Sequence, residues 1–183
     1  MAGWIFLGVI AVIAAWAVAI FNKLVKNRNL VMEGWSGIDV QLKRRYDLIP
    51  NLVETVKNYA KHEEGTLSKV VELRNAAGKA QTAGEKAPLE NALTGMLRQV
   101  FALAEAYPDL KANQNFLDLQ AQLSEIEEQI QFARRYYNGT ARDMNILVQS
   151  FPSNIIANFF GFKQADYFEI ELATERETPK VKF

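Results

Sequence analysis

The chain has 183 residues, and its 21 Lys and Arg side chains balance 21 Asp and Glu side chains, so the formal net charge is zero. This balance argues against nucleic-acid binding, which usually requires a basic excess, and no acidic tail is present. The chain contains no cysteine and a single histidine. Disulfides, thiolate chemistry and a lipidated N-terminal cysteine are therefore excluded.

The first 22 residues contain no charged side chain, and Lys23, Lys26 and Arg28 follow directly. A helix over this stretch, at ~1.5 Å per residue, is about as long as a bilayer's hydrocarbon core is thick. We therefore predict a transmembrane helix over residues 1–22. Ala17-Val18-Ala19 resembles a signal-peptide cleavage site, but the cations follow the apolar run instead of preceding it. Since flanking cations prefer the cytoplasmic side, we expect the N-terminus outside and the following domain in the cytoplasm.

Apolar residues at helical spacing predict two helices after this anchor. The first covers residues 31–42 and can continue the anchor, because no proline separates them. The second covers residues 47–71. In this prediction Asp47 is its N-cap and Pro50 falls in its first turn, where a missing N–H costs least.

A loop is predicted over residues 78–87, because glycines and a following proline interrupt the pattern there. The apolar spacing resumes over residues 89–107 and predicts a third helix. Pro108 is predicted to end that helix, and residues 109–113 connect it to the next one.

The clearest pattern is an apolar seam with alternating spacings of three and four residues, which predicts one helix of about 36 residues. The seam stays in phase across Asn138-Gly139, so the helix is predicted to be continuous there. Charged residues between seam positions, including Arg134 and Arg135, are predicted to form a solvated face. The seam consists of Phe116, Leu119, Leu123, Ile126, Ile130, Ala133, Tyr137, Thr140, Met144, Leu147 and Phe151.

Short loops between long amphipathic helices favour antiparallel neighbours. The predicted fold class is therefore all-α, with an N-terminal transmembrane helix followed by an antiparallel four-helix bundle that has a long C-terminal helix. The predicted domains are residues 1–22 for the membrane helix, 23–151 for the bundle, and 152–183 for an apolar segment and an extended tail.

The uncharged segment 153–162 would return to the membrane in this topology. Ser153 is predicted to cap a short helix and Gly161 to end it. Two interpretations are open: a flap that covers the end of the bundle, or a contact with the membrane interface or another subunit. Residues 167–172 alternate like a strand, which could pair only with a second copy; otherwise they form an extended tail. The candidate contact residues are Ile155, Ile156, Phe159, Phe160 and Phe162.

The stretch from Trp35 to Leu52, WSGIDVQLKRRYDLIPNL, resembles the signature of the LemA family of bacterial membrane proteins. Further similar segments lie at residues 56–63, 107–113, 133–138, 151–152 and 160–162, so the resemblance covers nearly the whole chain. It implies a bacterial inner-membrane protein with one N-terminal membrane helix and a four-helix bundle. It does not imply an enzymatic activity. Gly139 departs from the pattern, where a larger residue is expected.

The densest polar block lies within residues 39–51. One interpretation is capping and ion pairing that hold two helices together at a corner. The other is a docking surface for a protein partner at the end of the bundle far from the membrane. The candidate docking residues are Asp39, Gln41, Arg44, Arg45, Asp47 and Asn51.

We expect no catalytic residue, cofactor or metal site. His62 has no second histidine to complete a metal motif, and position 59 is Tyr where a di-metal bundle would need Glu. Two functions remain. The first is a structural or scaffolding membrane protein that contacts lipid and self-associates through its small-residue anchor. The alternative is a membrane-tethered adaptor or sensor that docks a cytoplasmic protein.

Overall fold

The computed structural model describes residues 1–169, which form helices and connecting turns without a strand in that range. The predicted all-α class is confirmed. Within the strand-like stretch, residues 167–169 form neither helix nor strand in the single chain, and residues 170–172 lie outside the described residues. The elements are α1 (Ala2–Tyr59), α2 (Glu64–Lys79), α3 (Ala83–Leu103), a 3₁₀ turn (Ala104–Ala106), α4 (Pro108–Lys111), α5 (Gln114–Gln149) and α6 (Ser153–Phe159).

α1 is one continuous helix of 58 residues, so the prediction of a new helix beginning at Asp47 was wrong. Pro50 lies inside α1, where a proline costs about 3 kcal/mol. That cost is offset because the apolar face keeps its phase through the proline, and each buried Leu, Ile or Val contributes roughly 1.5–3 kcal/mol. The residues of this face are fully buried: Ile38, Leu42, Ile49, Leu52 and Val56.

α1 ends at a turn in which the Glu63 amide donates to the Ala60 carbonyl at 3.1 Å. His62 lies exposed in this turn. α2 then contains the remainder of the predicted second helix, with Leu67, Val70, Leu73 and Ala77 buried.

The loop predicted over residues 78–87 is shorter in the structure, because α3 begins at Ala83. Thr82 accepts a hydrogen bond from the Glu85 amide, and the Glu85 side chain accepts from the Thr82 amide. This capping box satisfies two N–H groups that would otherwise lack partners. Pro88 lies inside α3 and not in a loop.

α5 has 36 residues and is continuous through Asn138-Gly139, as predicted. Two details of the predicted seam were wrong. Phe151 lies beyond the helix and is 79% exposed, and Arg134 is buried, not solvated. The buried face passes through Ile130, Arg134 and Tyr137, because a 3.6-residue helical period drifts away from a strict 3.5-residue repeat.

The described chain packs as two compact units. The first unit consists of Met1–Ile38 and Phe132–Tyr167. The second consists of Asp39–Gln131 together with Phe168 and Glu169. α1 and α5 each contribute a segment to both units. The domain boundaries placed at residues 22 and 151 stay predictions.

The core of the second unit draws on α1, α2, α3, α4 and α5. Fifteen buried apolar residues form one contiguous cluster there. They are Ile49, Leu52, Val56, Ala60, Leu67, Val70, Leu73, Leu93, Leu97, Val100, Ala104, Leu110, Phe116, Leu119 and Leu123.

The core of the first unit joins α1, the end of α5 and the α6 region, through Leu24, Met144, Val148, Ala157 and Phe162. Residues 163–166 lie outside the helices, and side chains of α5 bind their backbone. Asn145 donates to the Ala165 carbonyl at 2.9 Å and accepts from the Ala165 amide at 2.7 Å, and the Tyr137 hydroxyl donates to the Asp166 carbonyl at 2.8 Å.

Candidate functional site

Arg45 occupies a core position of α1 in the second unit and is 1% exposed. Its Nη2 donates to Oε2 of Glu90 on α3. Its Nη1 donates to Oε2 of Glu127 on α5 at 2.7 Å and to Oγ1 of Thr94 at 3.0 Å. A guanidinium presents several N–H donors in a fixed plane, so one side chain can bind several acceptors at once. This buried cation therefore connects three helices.

Tyr46 extends this cluster, because its hydroxyl donates to the second carboxylate oxygen of Glu90. Burial raises the pKa of Tyr46 to about 12, an effect that the positive charge of Arg45 partly offsets. Burial also lowers the pKa of Arg45, opposed by the nearby carboxylate of Glu127. We name Arg45, Tyr46, Glu90, Thr94 and Glu127 the arginine cluster.

A cavity of about 220 Å³ adjoins the arginine cluster. The Nε atom of Arg45 is buried and has no hydrogen-bond partner among residues 1–169. The cavity is lined by Arg45, Thr94, Leu97, Arg98, Phe101, Leu123, Ser124 and Glu127.

The residues proposed for docking are not all on the surface. Arg45 belongs to the core, and its prediction as a docking residue was wrong because its charge is neutralised inside the unit. Asp39 is exposed and pairs with Lys86 at 3.0 Å, and Gln41 is half-buried and accepts from Arg44 at 3.0 Å. The block also lies in the interior of α1, so its predicted place at a corner between two helices was wrong.

Three of the proposed docking residues share one exposed face of α1. Arg44, Asp47 and Asn51 are exposed and follow the spacing i, i+3, i+7. Side chains at this spacing lie on the same side of a helix. Docking by these residues stays a prediction.

The acidic partners of Arg45 were not predicted from the sequence. Glu90 lies in phase with the buried Leu93, Leu97 and Val100 of α3, which is an unusual place for a carboxylate. Arg45 lies in phase with Leu42 and Ile49 in the same way. Each helix therefore has a charged residue at a position of its apolar stripe, and the two charges have opposite signs. This pattern indicates a buried ion pair.

A larger concave surface, of about 750 Å³, lies between the end of α1 and α2 and was not predicted from the sequence. It exists because the chain turns at residues 60–63, where the predicted helix ran straight on. The concave surface is lined by Val53, Lys57, Asn58, Ala60, Lys61, Glu64, Leu67, Ser68 and Val71.

Among residues 1–169, no group of three or more His, Asp or Glu side chains is placed to bind a metal ion.

In the first unit, the α6 region divides the predicted contact residues into two groups. Phe162 is buried, and Ile156 is half-buried against the same core. Ile155, Phe159 and Phe160 are 56%, 82% and 54% exposed, and the last two rings are in contact with centroids 5.0 Å apart. We name these three exposed residues the α6 surface.

The ends of α6 are set by backbone geometry. Gly161 has a φ of +71°, a conformation that favours glycine, and the Phe162 amide then donates to the Ala157 carbonyl at 2.9 Å. The predicted role of Gly161 is confirmed. Ser153 is the first residue of α6 and not its N-cap, because its hydroxyl donates back to the carbonyls of Leu147 and Ser150.

The rings of the α6 region contact α1 near Phe21, at the end of the apolar run. Phe21 lies 4.7 Å from Phe160 and 5.8 Å from Phe162, measured between ring centroids. The guanidinium of Arg28 lies 5.5 Å from the centre of the Phe162 ring. This region therefore packs where the uncharged part of α1 gives way to its cations.

α1 is the one helix within residues 1–169 that has the length and composition to cross a membrane. The side chains of residues 1–16 are exposed, and none of its most apolar stretch is buried in the structure. An exposed apolar run of this length is a candidate for contact with lipid.

These features define an all-α protein with a candidate membrane helix at its start. Residues 34–183 match the sequence profile of the LemA family. The chain belongs to the LemA family, and the resemblance identified from the sequence is thereby confirmed.

Individual relatives are more distant. Magnetosome proteins MamQ 1 and MamQ 2 of Paramagnetospirillum magneticum are each 26% identical to the chain, over 73% of its length and 59% of theirs. Protein LemA of Metamycoplasma hominis is 26% identical, over 87% of the chain and 71% of its own length. The chain thus spans about 59% of the length of the two magnetosome proteins.

Proposed function

We propose that this protein is a membrane-anchored helical scaffold that self-associates in the inner membrane of a bacterium. The observation that carries the proposal is the uncharged, exposed start of α1, which is followed at once by three cations. Membership of the LemA family supports the membrane location. Similarity to the relatives named magnetosome protein MamQ also supports a membrane-associated role.

We further propose that the N-terminus lies outside and that the cations mark the cytoplasmic side. Reporters fused after residue 183 test this orientation. A fluorescent protein that matures in the cytoplasm should be active, and a phosphatase that folds only in the periplasm should be silent. The opposite pattern would reverse the orientation.

The second unit is proposed to be an antiparallel four-helix bundle made from α2, α3 and segments of α1 and α5. All four helices supply side chains to its core. The turns at residues 60–63 and 80–82 are short, which favours antiparallel neighbours. An experimental structure in which two of these helices that follow one another along the chain run parallel would contradict the bundle.

Self-association is supported by small residues in the anchor. Ala11, Ala15 and Ala19 recur every four residues and so form one stripe along α1. Small side chains allow two membrane helices to approach closely. Cross-linking in intact membranes, followed by sizing, should give oligomers of the full chain.

A matched pair of substitutions sharpens this test. Ala15→Ile enlarges the stripe and should lower the cross-linked fraction. Ala14→Ile adds the same side chain off the stripe and should leave that fraction unchanged. Monomer alone from the unmodified protein, or equal effects of both substitutions, would contradict self-association through this stripe.

The second candidate function is a tethered adaptor, favoured by the exposed face that carries Arg44, Asp47 and Asn51. Affinity capture with the full chain and with Arg44→Ala tests it, and Lys43→Ala is the control because Lys43 is also exposed. A partner lost only with Arg44→Ala would support docking on this face. An unchanged set of partners would contradict the residue assignment.

A further inference from the structure

We infer that the α6 surface inserts into the headgroup region of the same membrane leaflet from which α1 emerges. The inference rests on the proposed membrane anchoring of α1 and adds a second lipid contact to it. The partner is a lipid surface, and the contact residues are Ile155, Phe159 and Phe160.

The α6 region packs against α1 where the uncharged run of that helix ends. The uncharged run ends at Asn22, and cations begin at Lys23. This is the level at which a membrane helix passes from hydrocarbon to headgroups. Phe160 and Phe162 pack on Phe21, which lies at this level. The α6 region is therefore held beside the point where α1 leaves the hydrocarbon core.

The apolar side chains of the α6 region face in two directions. Ala157 and Phe162 are buried in the core of the first unit, together with Leu24 of α1. Ile155 and Phe159, spaced i and i+4, are exposed on the other side, and Phe159 is 82% exposed. The helix is thus apolar on both sides, with one side covered by protein and the other open. An apolar helix face beside a membrane helix fits insertion at the interface.

The α6 region is uncharged and is bordered by cations. Residues 150–162 contain no acidic or basic side chain, so no buried charge would oppose insertion. Lys163 follows directly, and Lys23 and Lys26 are exposed on α1. Cations that border an apolar face attract anionic headgroups. Continuity with the membrane helix and this border of cations favour lipid as the occupant over a second copy of the chain.

The absence of native cysteine allows a direct depth measurement on the full chain. The protein would be reconstituted in vesicles of phosphatidylcholine and phosphatidylglycerol. Single cysteines would replace Phe159, Ile13 or Phe132 and carry an environment-sensitive fluorophore. Ile13 is the anchor control. Phe132 is the matched aqueous control, because it is an exposed Phe of the first unit, ~24 Å along α5 from Val148.

Nitroxide groups placed near the headgroup or deep in the acyl chain would quench these labels according to depth. We expect headgroup-level nitroxide to quench the label at 159 several-fold more than the label at 132. Deep nitroxide should quench the label at 13, and aqueous iodide should quench only the label at 132. Circular dichroism should show that each labelled protein retains its helix content.

The outcomes distinguish failure of the α6 contact from failure of the membrane anchor. If iodide reaches positions 159 and 132 equally while position 13 is quenched by lipid, the α6 contact is wrong and the anchor stands. If position 13 is not quenched by lipid, the anchor fails and the α6 contact fails with it. If position 159 is shielded from both quenchers, and dilution of the protein into excess lipid exposes it, a second copy covers the surface and the inference is overturned.

Discussion

α1 meets its neighbours differently in the two compact units. In the second unit, its buried face carries a cation, Arg45, that is neutralised by acidic side chains of α3 and α5. In the first unit, Gly34 of α1, which has no side chain, lies against the backbone of α5. A Cβ added there would lie 3.1 Å from the Cα atom of Tyr137 on α5. Charge pairing therefore determines which residue is accepted at the contact in the second unit, and side-chain size determines it in the first.

The difference shows two ways in which a single helix can be matched to specific neighbours. A buried ion pair adds little net stability compared with apolar packing, but the loss of one partner is costly. A close backbone approach accepts only a small residue. Substitutions should therefore be tolerated by different rules in the two units, and four predictions test this.

The largest effect is expected for Arg45→Met. This change leaves Glu90, which is 3% exposed, without its cation, and we expect a loss of about 3–5 kcal/mol in the free energy of unfolding. Urea denaturation of the full chain in detergent, followed by circular dichroism, measures it. Arg44→Met is the control, because Arg44 is exposed and such changes are usually within about 0.5 kcal/mol. Equal losses for both variants would contradict the structural role of the arginine cluster.

The next effect is expected from paired glycine substitutions in the first unit. Gly34→Ala forces its new Cβ against the backbone of α5, so we expect destabilisation of about 1–3 kcal/mol. Gly37→Ala meets nothing within 4 Å and should stabilise the helix by roughly 0.5–1 kcal/mol. The same denaturation assay compares them. Two changes of the same sign would show that space at Gly34 is not limiting.

A smaller effect is expected at the end of α6. Gly161→Ala places a Cβ in the left-handed region at a φ of +71°, at a cost of about 1–2 kcal/mol. Gly139→Ala, in the middle of α5 and with no atom within 4 Å of the new Cβ, should stabilise the chain slightly. Thermal unfolding of both variants measures the contrast. An unchanged Gly161→Ala protein would mean that the turn after α6 is not constrained.

The last effect is a pH dependence of the second unit, which appears only at alkaline pH. The folded-state pKa of Tyr46, about 12, lies above its ordinary value of 10.0. Its contribution to stability should therefore be complete below pH 10 and lost as the pH rises from 10 toward 12. Denaturation midpoints measured across this range should fall less steeply in Tyr46→Phe.

Tyr137 in the first unit also has a raised pKa, because of burial and the nearby Asp166. Comparison of the pH slopes of Tyr46→Phe and Tyr137→Phe therefore distinguishes the contribution of Tyr46 in the second unit from that of Tyr137 in the first. Identical slopes for Tyr46→Phe and the unmodified protein would show that Tyr46 does not contribute to this pH dependence.

Periodicity predicted the long helices well. The seam located α5 to within two residues at each end, because burial of one stripe over ten turns outweighs the local signal of Asn138-Gly139. The same reasoning explains the error at Asp47. A cap residue followed by a proline is a local start signal, but the buried Leu52 and Val56 keep that region in phase with Leu42. Here tertiary packing decided between two locally acceptable structures.

The arginine cluster was less predictable. The sequence places Arg45 and Glu90 in apolar stripes of separate helices, which indicates that each is buried. It does not indicate that they face each other, because that depends on how α1 and α3 are rotated about their axes. The α6 region likewise has one feature that the sequence predicts and one that it does not. Gly161 is recognisable as a helix end, whereas the packing of Phe160 on Phe21 requires the folded chain.

The paired hydrogen bonds between Asn145 and Ala165 have a consequence for shortened versions of this protein. Asn145 is 6% exposed, and its amide supplies both the donor and the acceptor that a neighbouring strand would offer. A version that stops at Phe162 would leave that amide without its backbone partners in a packed interior, at a cost of roughly 1–3 kcal/mol. Deletions from the carboxyl terminus should therefore retain at least residue 166.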